Sequence, residues 1–185
     1  MTSLVVVLLL PALCWVVVTD LLYRKIHNRL VLALLAGWLV LPLLAPLNIG
    51  PFAGFGVWQT LSGMGWSTAG AALVLLVGYG LYMIERVGGG DVKLMTVLSL
   101  WIGSEDLITF LIITSLAGGI LALVLPTLEM LEAALARGVM WLIRRMPQDA
   151  IAIPIIYDAQ RPAGIPYGLA IAAGALFTLL FPIHS

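Results

Sequence analysis

Residues 2–20 read TSLVVVLLLPALCWVVVTD. Positions 2–19 carry no formal charge, and an aspartate stands at the end of the run. An apolar stretch of roughly 18 residues is long enough to cross the ~30 Å hydrocarbon core of a bilayer as a helix. No Lys or Arg precedes residue 24. The basic n-region of a secretory signal is therefore missing, and 2–19 reads as a retained first span. The rest of the chain follows suit. Of its 185 residues, 62% are hydrophobic and only 10% charged, with a mean hydropathy of +1.13. A soluble domain of this length needs far more polar surface. The composition predicts an all-α polytopic membrane protein, with 1–185 forming a single integral-membrane domain.

Outward from the first run, a polar link covers 20–29 and a second span about 30–47. The stretch 48–60, rich in Gly, Pro and aromatic residues, reads as an external loop. A third span covers about 62–84 and a polar glycine segment 85–93. Span 4 is short, about 92–103. A fifth span follows over about 107–126, then a charged connection over 127–163, and a sixth span over about 165–182. A dozen residues at 1.5 Å each cover only about 18 Å of the core. Span 4 is therefore expected to begin below the membrane surface, with its first residues in a cavity that protein or water satisfies.

The basic residues give the orientation. With six spans, Arg24, Lys25, Arg29, Arg86, Lys93, Arg137, Arg144, Arg145 and Arg161 all fall on one side, and the opposite loops carry only Glu105 and Asp106. The positive-inside rule makes the basic side cytoplasmic and places both termini outside. Five spans, with span 4 re-entrant, would put the arginines from Arg137 to Arg161 outside and spoil the pattern. Within the long connection, residues 133–146 place Trp141 close to Arg144 and Arg145. This run reads as an interfacial amphipathic helix on the cytoplasmic face, with partner docking as the functional alternative.

Two carboxylates stand out. Asp20 closes span 1, where an interfacial charge is the ordinary explanation. Asp91 follows Gly88, Gly89 and Gly90 and opens span 4, where a helix N-cap is the ordinary explanation. Capping does not account for three glycines, which allow close approach of backbone or ligand. Both aspartates fall on the basic side at similar depth. Carboxylates at or within a membrane point first to function. Two that meet across one water make an aspartic dyad, in which one is ionised and the other protonated. The ionised member takes a proton from water while the other protonates the carbonyl oxygen, a scheme that requires neither metal nor cofactor. Rival constellations are weaker. Cys14 is the lone cysteine, so it has neither a disulfide partner nor a CxxC zinc motif. His27 and His184 fall on opposite sides. No Ser-His-Asp arrangement is evident, and the glycine run lacks the spacing of a P-loop or dinucleotide fingerprint.

These motifs resemble those of the type IV prepilin peptidases. That family carries an Asp followed after five residues by Ile-Pro-Asn, and here the stretch is Asp20-LLYRK-Ile26-His27-Asn28. Its second motif, Gly-x-Gly-Asp-x-Lys, corresponds to Gly88-Gly89-Gly90-Asp91-Val92-Lys93. The segment Gly164-Ile165-Pro166-Tyr167-Gly168-Leu169-Ala170-Ile171-Ala172-Ala173-Gly174 is similar to the PYGxAIAxG segment of short Tad/Flp-type members. His27 replaces the usual Pro, which bears on the turn rather than on the Asp. The CxxC-bearing region that accompanies N-methylation in long members is missing, so the resemblance implies a peptidase without methyltransferase activity.

The resemblance further implies an aspartic endopeptidase of the inner membrane with Asp20 and Asp91 as its catalytic pair. Gly88, Gly90, Lys93 and Asn28 are expected in supporting or substrate-binding roles. Lys93 would offset or orient Asp91, and Asn28 would position the loop or substrate backbone, or cap span 2. The implied substrate is a prepilin or pseudopilin, whose short basic leader is cut at the cytoplasmic face, commonly after Gly. The partners expected are that substrate and membrane lipid, with no nucleic acid and no cofactor. Alternatives of the same class are an archaeal preflagellin peptidase and a presenilin-like GxGD protease. Against the latter, Pro-Ala-Leu occurs at 11–13, before the first Asp. A small proton- or cation-coupled transporter or assembly subunit is the alternative of another class. It would favour midplane carboxylates and an inverted repeat.

Overall fold

The computed structural model describes residues 3–48, 50–143 and 166–182. Among these every regular element is helical: α1 (Ser3–Tyr23), α2 (Asn28–Val40) followed by a 3₁₀ segment (Leu41–Leu47), α3 (Val57–Met83), α4 (Gly89–Ile102), α5 (Leu107–Ile143) and α6 (Tyr167–Leu180). Four stretches are long and apolar enough to cross a membrane, namely Leu4–Tyr23, Asn28–Leu47, Val57–Met83 and Leu107–Val124. The other two helices, α4 and α6, have 14 residues each, or about 21 Å at 1.5 Å per residue.

The two short helices lie innermost. Helix α4 packs against α2, α3, α5 and α6, and α6 packs against α1, α4 and α5. Leu94, Val97, Leu98, Leu100, Trp101 and Ile102 of α4 are buried, as are Ala170, Ile171, Ala175 and Leu179 of α6. The long helices turn large apolar side chains outward instead: Val7 is 67% exposed, Leu76 70% and Leu123 85%. Hydrocarbon solvates such a surface, whereas water would not. Between helices, small residues and a few polar bonds set the spacing. Gly174 faces Thr114 and Gly78 faces Val92. The Trp101 indole N–H donates to the Leu34 carbonyl at 2.9 Å, tying α4 to α2.

Several boundaries differ from those read in the sequence. Residues 20–23 are not a polar link but the last turn of α1, because Leu21 and Leu22 are apolar and buried. Span 2 begins at Asn28 and tightens into 3₁₀ geometry at Leu41, where Pro42 and Pro46 remove backbone donors. It stops at Asn48 in the left-handed conformation (φ 56). Helix α3 starts at Val57, inside the expected loop, and the Gln59 side chain accepts a hydrogen bond from the Gly56 N–H at its entry. The expected separate interfacial helix over 133–146 does not form as such. Residues 133–143 continue α5, a single helix of 37 residues, about 55 Å long, and 144–146 lie outside the described residues. So does His184.

Two cavities occupy opposite ends of the bundle. One gathers the end of α1, the end of α3, and the starts of α4 and α6. The other gathers the end of α2, the start of α3, the end of α4 and Pro182 after α6.

Candidate active site

The first cavity, about 830 Å³, is lined by both aspartates singled out in the sequence. Asp20 enters from α1, one turn before its end, and is 5% exposed. Asp91 enters from the first turn of α4. The two carboxylates are close enough to interact electrostatically.

Each is held by a backbone N–H at a helix start. Helix α4 takes Gly88, not Asp91, as its N-cap, with Gly89 and Gly90 already helical. Asp91 is therefore the third helical residue, and its carboxylate accepts a hydrogen bond from the Gly88 N–H. An acidic side chain reaching back to the cap in this way satisfies one orphan donor and sits favourably at the positive end of the helix dipole. At α6, the Gly168 N–H donates to Asp20 Oδ2 at 2.7 Å in a buried bond.

The glycine run serves close packing. A side-chain carbon at Gly90 would come within 3.2 Å of Ile26, and one at Gly89 within 3.3 Å of the Tyr82 ring. Ile26 belongs to the first aspartate motif and Gly90 to the second, so the two motifs touch. The loop between α1 and α2 turns at Arg24 (φ 49), and α3 leaves its helix through Glu85 (φ 57). Both are non-glycine residues in the left-handed region, and both line the cavity. Such residues cost roughly 1–3 kcal/mol and cluster at functional sites. His27, standing where Pro was expected, has φ −76 and ψ 124, values a proline can adopt. Its carbonyl accepts from the Leu30 and Val31 N–H groups, so the turn forms without the ring.

Among the other expected site residues, Gly88 and Gly90 line the cavity, and Lys93 and Asn28 do not. The Lys93 ammonium donates to Asn28 Oδ1 at 3.3 Å on an exposed face. This bond links the start of α2 to α4. Tyr82, Glu85 and Arg86 also line the cavity and carried no sequence signal for it, and Arg24 and Tyr167, which lay within quoted motifs, line it too. Gly168 lay within a quoted motif, but nothing local revealed its contact with Asp20. Cys14 is exposed on α1, away from the site.

The sequence profile of the type IV leader peptidase family matches residues 7–123, well over half of the chain. The chain belongs to the type IV leader peptidase family. The matched stretch contains both aspartates and their motifs, and α6 lies beyond it. Searches of curated proteins and of solved structures returned no match. Membership of the family makes this chain a leader-peptidase-like protease, and its long apolar helices suit a membrane enzyme.

Proposed function

We propose that this peptidase is an aspartic endopeptidase that removes the short basic leader from Flp/Tad-like prepilins or pseudopilins, with Asp20 and Asp91 activating the water. The observation that carries the reading is that two acidic side chains, 71 positions apart in sequence, share one cavity, each fixed by a backbone N–H.

The chemistry follows from that pair. The ionised carboxylate takes a proton from a water whose oxygen attacks the scissile carbonyl carbon. The protonated carboxyl gives its proton to the carbonyl oxygen, so a neutral tetrahedral diol forms. Collapse returns one hydroxyl proton to the dyad, and the other carboxyl protonates the leaving nitrogen as the C–N bond breaks. The products are the leader's new carboxylic acid and the mature protein's new amine, which ionise in water, and the pair again holds one proton.

The enzyme spans the inner membrane six times with both termini outside. Helices α4 and α6 are the short inner spans, and the site faces the cytoplasm. Arg24, Lys25 and Arg86 line the same cavity as the aspartates, which accords with a cytoplasmic end under the positive-inside rule. The substrate's apolar helix lies among the spans, and its leader stays on the basic side.

The test is cleavage of a co-expressed prepilin. Asp20→Asn and Asp91→Asn each abolish processing while the protein still accumulates in the membrane. Normal processing by either variant removes the dyad.

A further inference from the structure

Helix α6 begins with Pro166 as N-cap, so Tyr167 and Gly168 are its first two residues. The first N–H groups of a helix have no intrahelical partner. The Gly168 N–H uses that freedom to bond Asp20 Oδ2 at 2.7 Å, across 148 positions of sequence. Glycine here is a matter of room rather than of backbone conformation. Gly168 is not among the positive-φ glycines, but a side-chain carbon on it would stand 2.8 Å from Asp20 Oδ2 and 3.0 Å from Cγ. The start of α6 is itself pinned. The Tyr167 ring fills the space that a side chain at Gly118 of α5 would need, and Gly174 lies against the Thr114 backbone. Helix α5 thus sets α6, and α6 sets Asp20.

We propose that Gly168 is a positioning residue: its N–H holds the Asp20 carboxylate in the cavity, and its missing side chain leaves the space that carboxylate occupies. This makes α6, which lies outside the stretch that identifies the family, a working part of the active site. The inference rests on the Asp20–Asp91 reading above. A displacement of about 1 Å in a catalytic group can cost on the order of a hundredfold in rate.

The experiment uses the full chain in lipid nanodiscs and a synthetic peptide with a basic leader ending in Gly, followed by an apolar helix. Gly168→Ala inserts a methyl group against the carboxylate. A second variant replaces the amide at residue 168 by an ester, which deletes the N–H and adds no side chain. That N–H has no intrahelical partner, so the helix loses no donor bond and the ester only weakens the Tyr167 carbonyl as an acceptor. A hydrogen bond to a charged acceptor corresponds to a factor of roughly 10 to 150. Both variants are expected to lower kcat per folded molecule by about that factor, with KM changed less than about twofold. A purely structural role would instead lower the folded fraction and leave kcat per folded molecule intact, which overturns the proposal. If Gly168→Ala fails to accumulate, the ester variant decides. If Asp20→Asn is inactive while the ester variant retains wild-type kcat, the positioning role falls and the dyad stands. If Asp20→Asn still cleaves, both fall.

Discussion

At the start of α4, the Gly88 N–H reaches a carboxylate three residues further along the same chain segment. At the start of α6, the Gly168 N–H reaches one that is 148 positions away, on another helix. The bonds are of one kind, but they depend on different things. The Asp91 bond forms wherever the glycine segment winds into a helix. The Asp20 bond exists only once α1, α5 and α6 have packed. One half of the proposed dyad is thus assembled by local structure and the other by tertiary structure. Misfolding or loosening of the bundle would disable Asp20 first.

The largest expected effect is common to both halves. Removing either carboxylate's ability to carry a proton, by Asp20→Asn or Asp91→Asn, should cost at least about a hundred- to ten-thousandfold in cleavage, the usual range for a lost acid–base group. Peptide cleavage by purified protein measures it. A large loss at only one position would mean that the two do not act as a pair.

Below that comes Gly88→Ala. A side-chain carbon there would lie 2.8 Å from Asp91 Oδ2, while the N–H remains. The carboxylate must move, and a loss of about 10- to 100-fold in kcat is expected. Because the strain is local, thermal unfolding should shift little. Gly90→Ala differs in kind. It presses on Ile26 at 3.2 Å rather than on a carboxylate. It should therefore act as mild overpacking, costing about 1–3 kcal/mol of stability with a smaller loss of kcat than Gly88→Ala. A reversed order between these two variants would break the distinction between carboxylate contact and packing contact.

The same division between local and tertiary structure explains what the sequence disclosed. Long apolar runs announce α1, α2, α3 and the first part of α5, because lipid demands that their exposed faces be apolar. The short α4 was legible because the glycine segment and Asp91 mark its start. Charged residues did not mark the helix ends. Asp20 did not end α1, because Leu21 and Leu22 carry the apolar face one turn further into the bundle. The fifth helix did not stop near 126, because Leu131, Ala134 and Leu135 in the charged stretch beyond it are strong helix formers that let α5 run on. The left-handed turns at Arg24 and Glu85 had no signal, since neither residue type favours that conformation. The placement of α6 against Asp20 had none either. Nothing near Gly168 distinguishes a glycine that packs from one that positions a carboxylate.

The smallest expected effect tests the link between the two motifs outside the cavity. Lys93 and Asn28 are exposed and joined by a 3.3 Å hydrogen bond between α4 and the start of α2. Solvent screens such a contact, so it should contribute under about 1 kcal/mol. A double-mutant cycle of Lys93→Met and Asn28→Ala, read by thermal unfolding and by kcat, separates two roles. If the pair only clamps the helices, the coupling appears in stability and both single variants retain kcat within about threefold. If Lys93 instead acts on Asp91, its substitution lowers kcat whether or not Asn28 is present, and the coupling vanishes from the cycle. The geometry favours the clamp, because Lys93 bonds Asn28 on an exposed face and neither residue lines the cavity that Asp91 does.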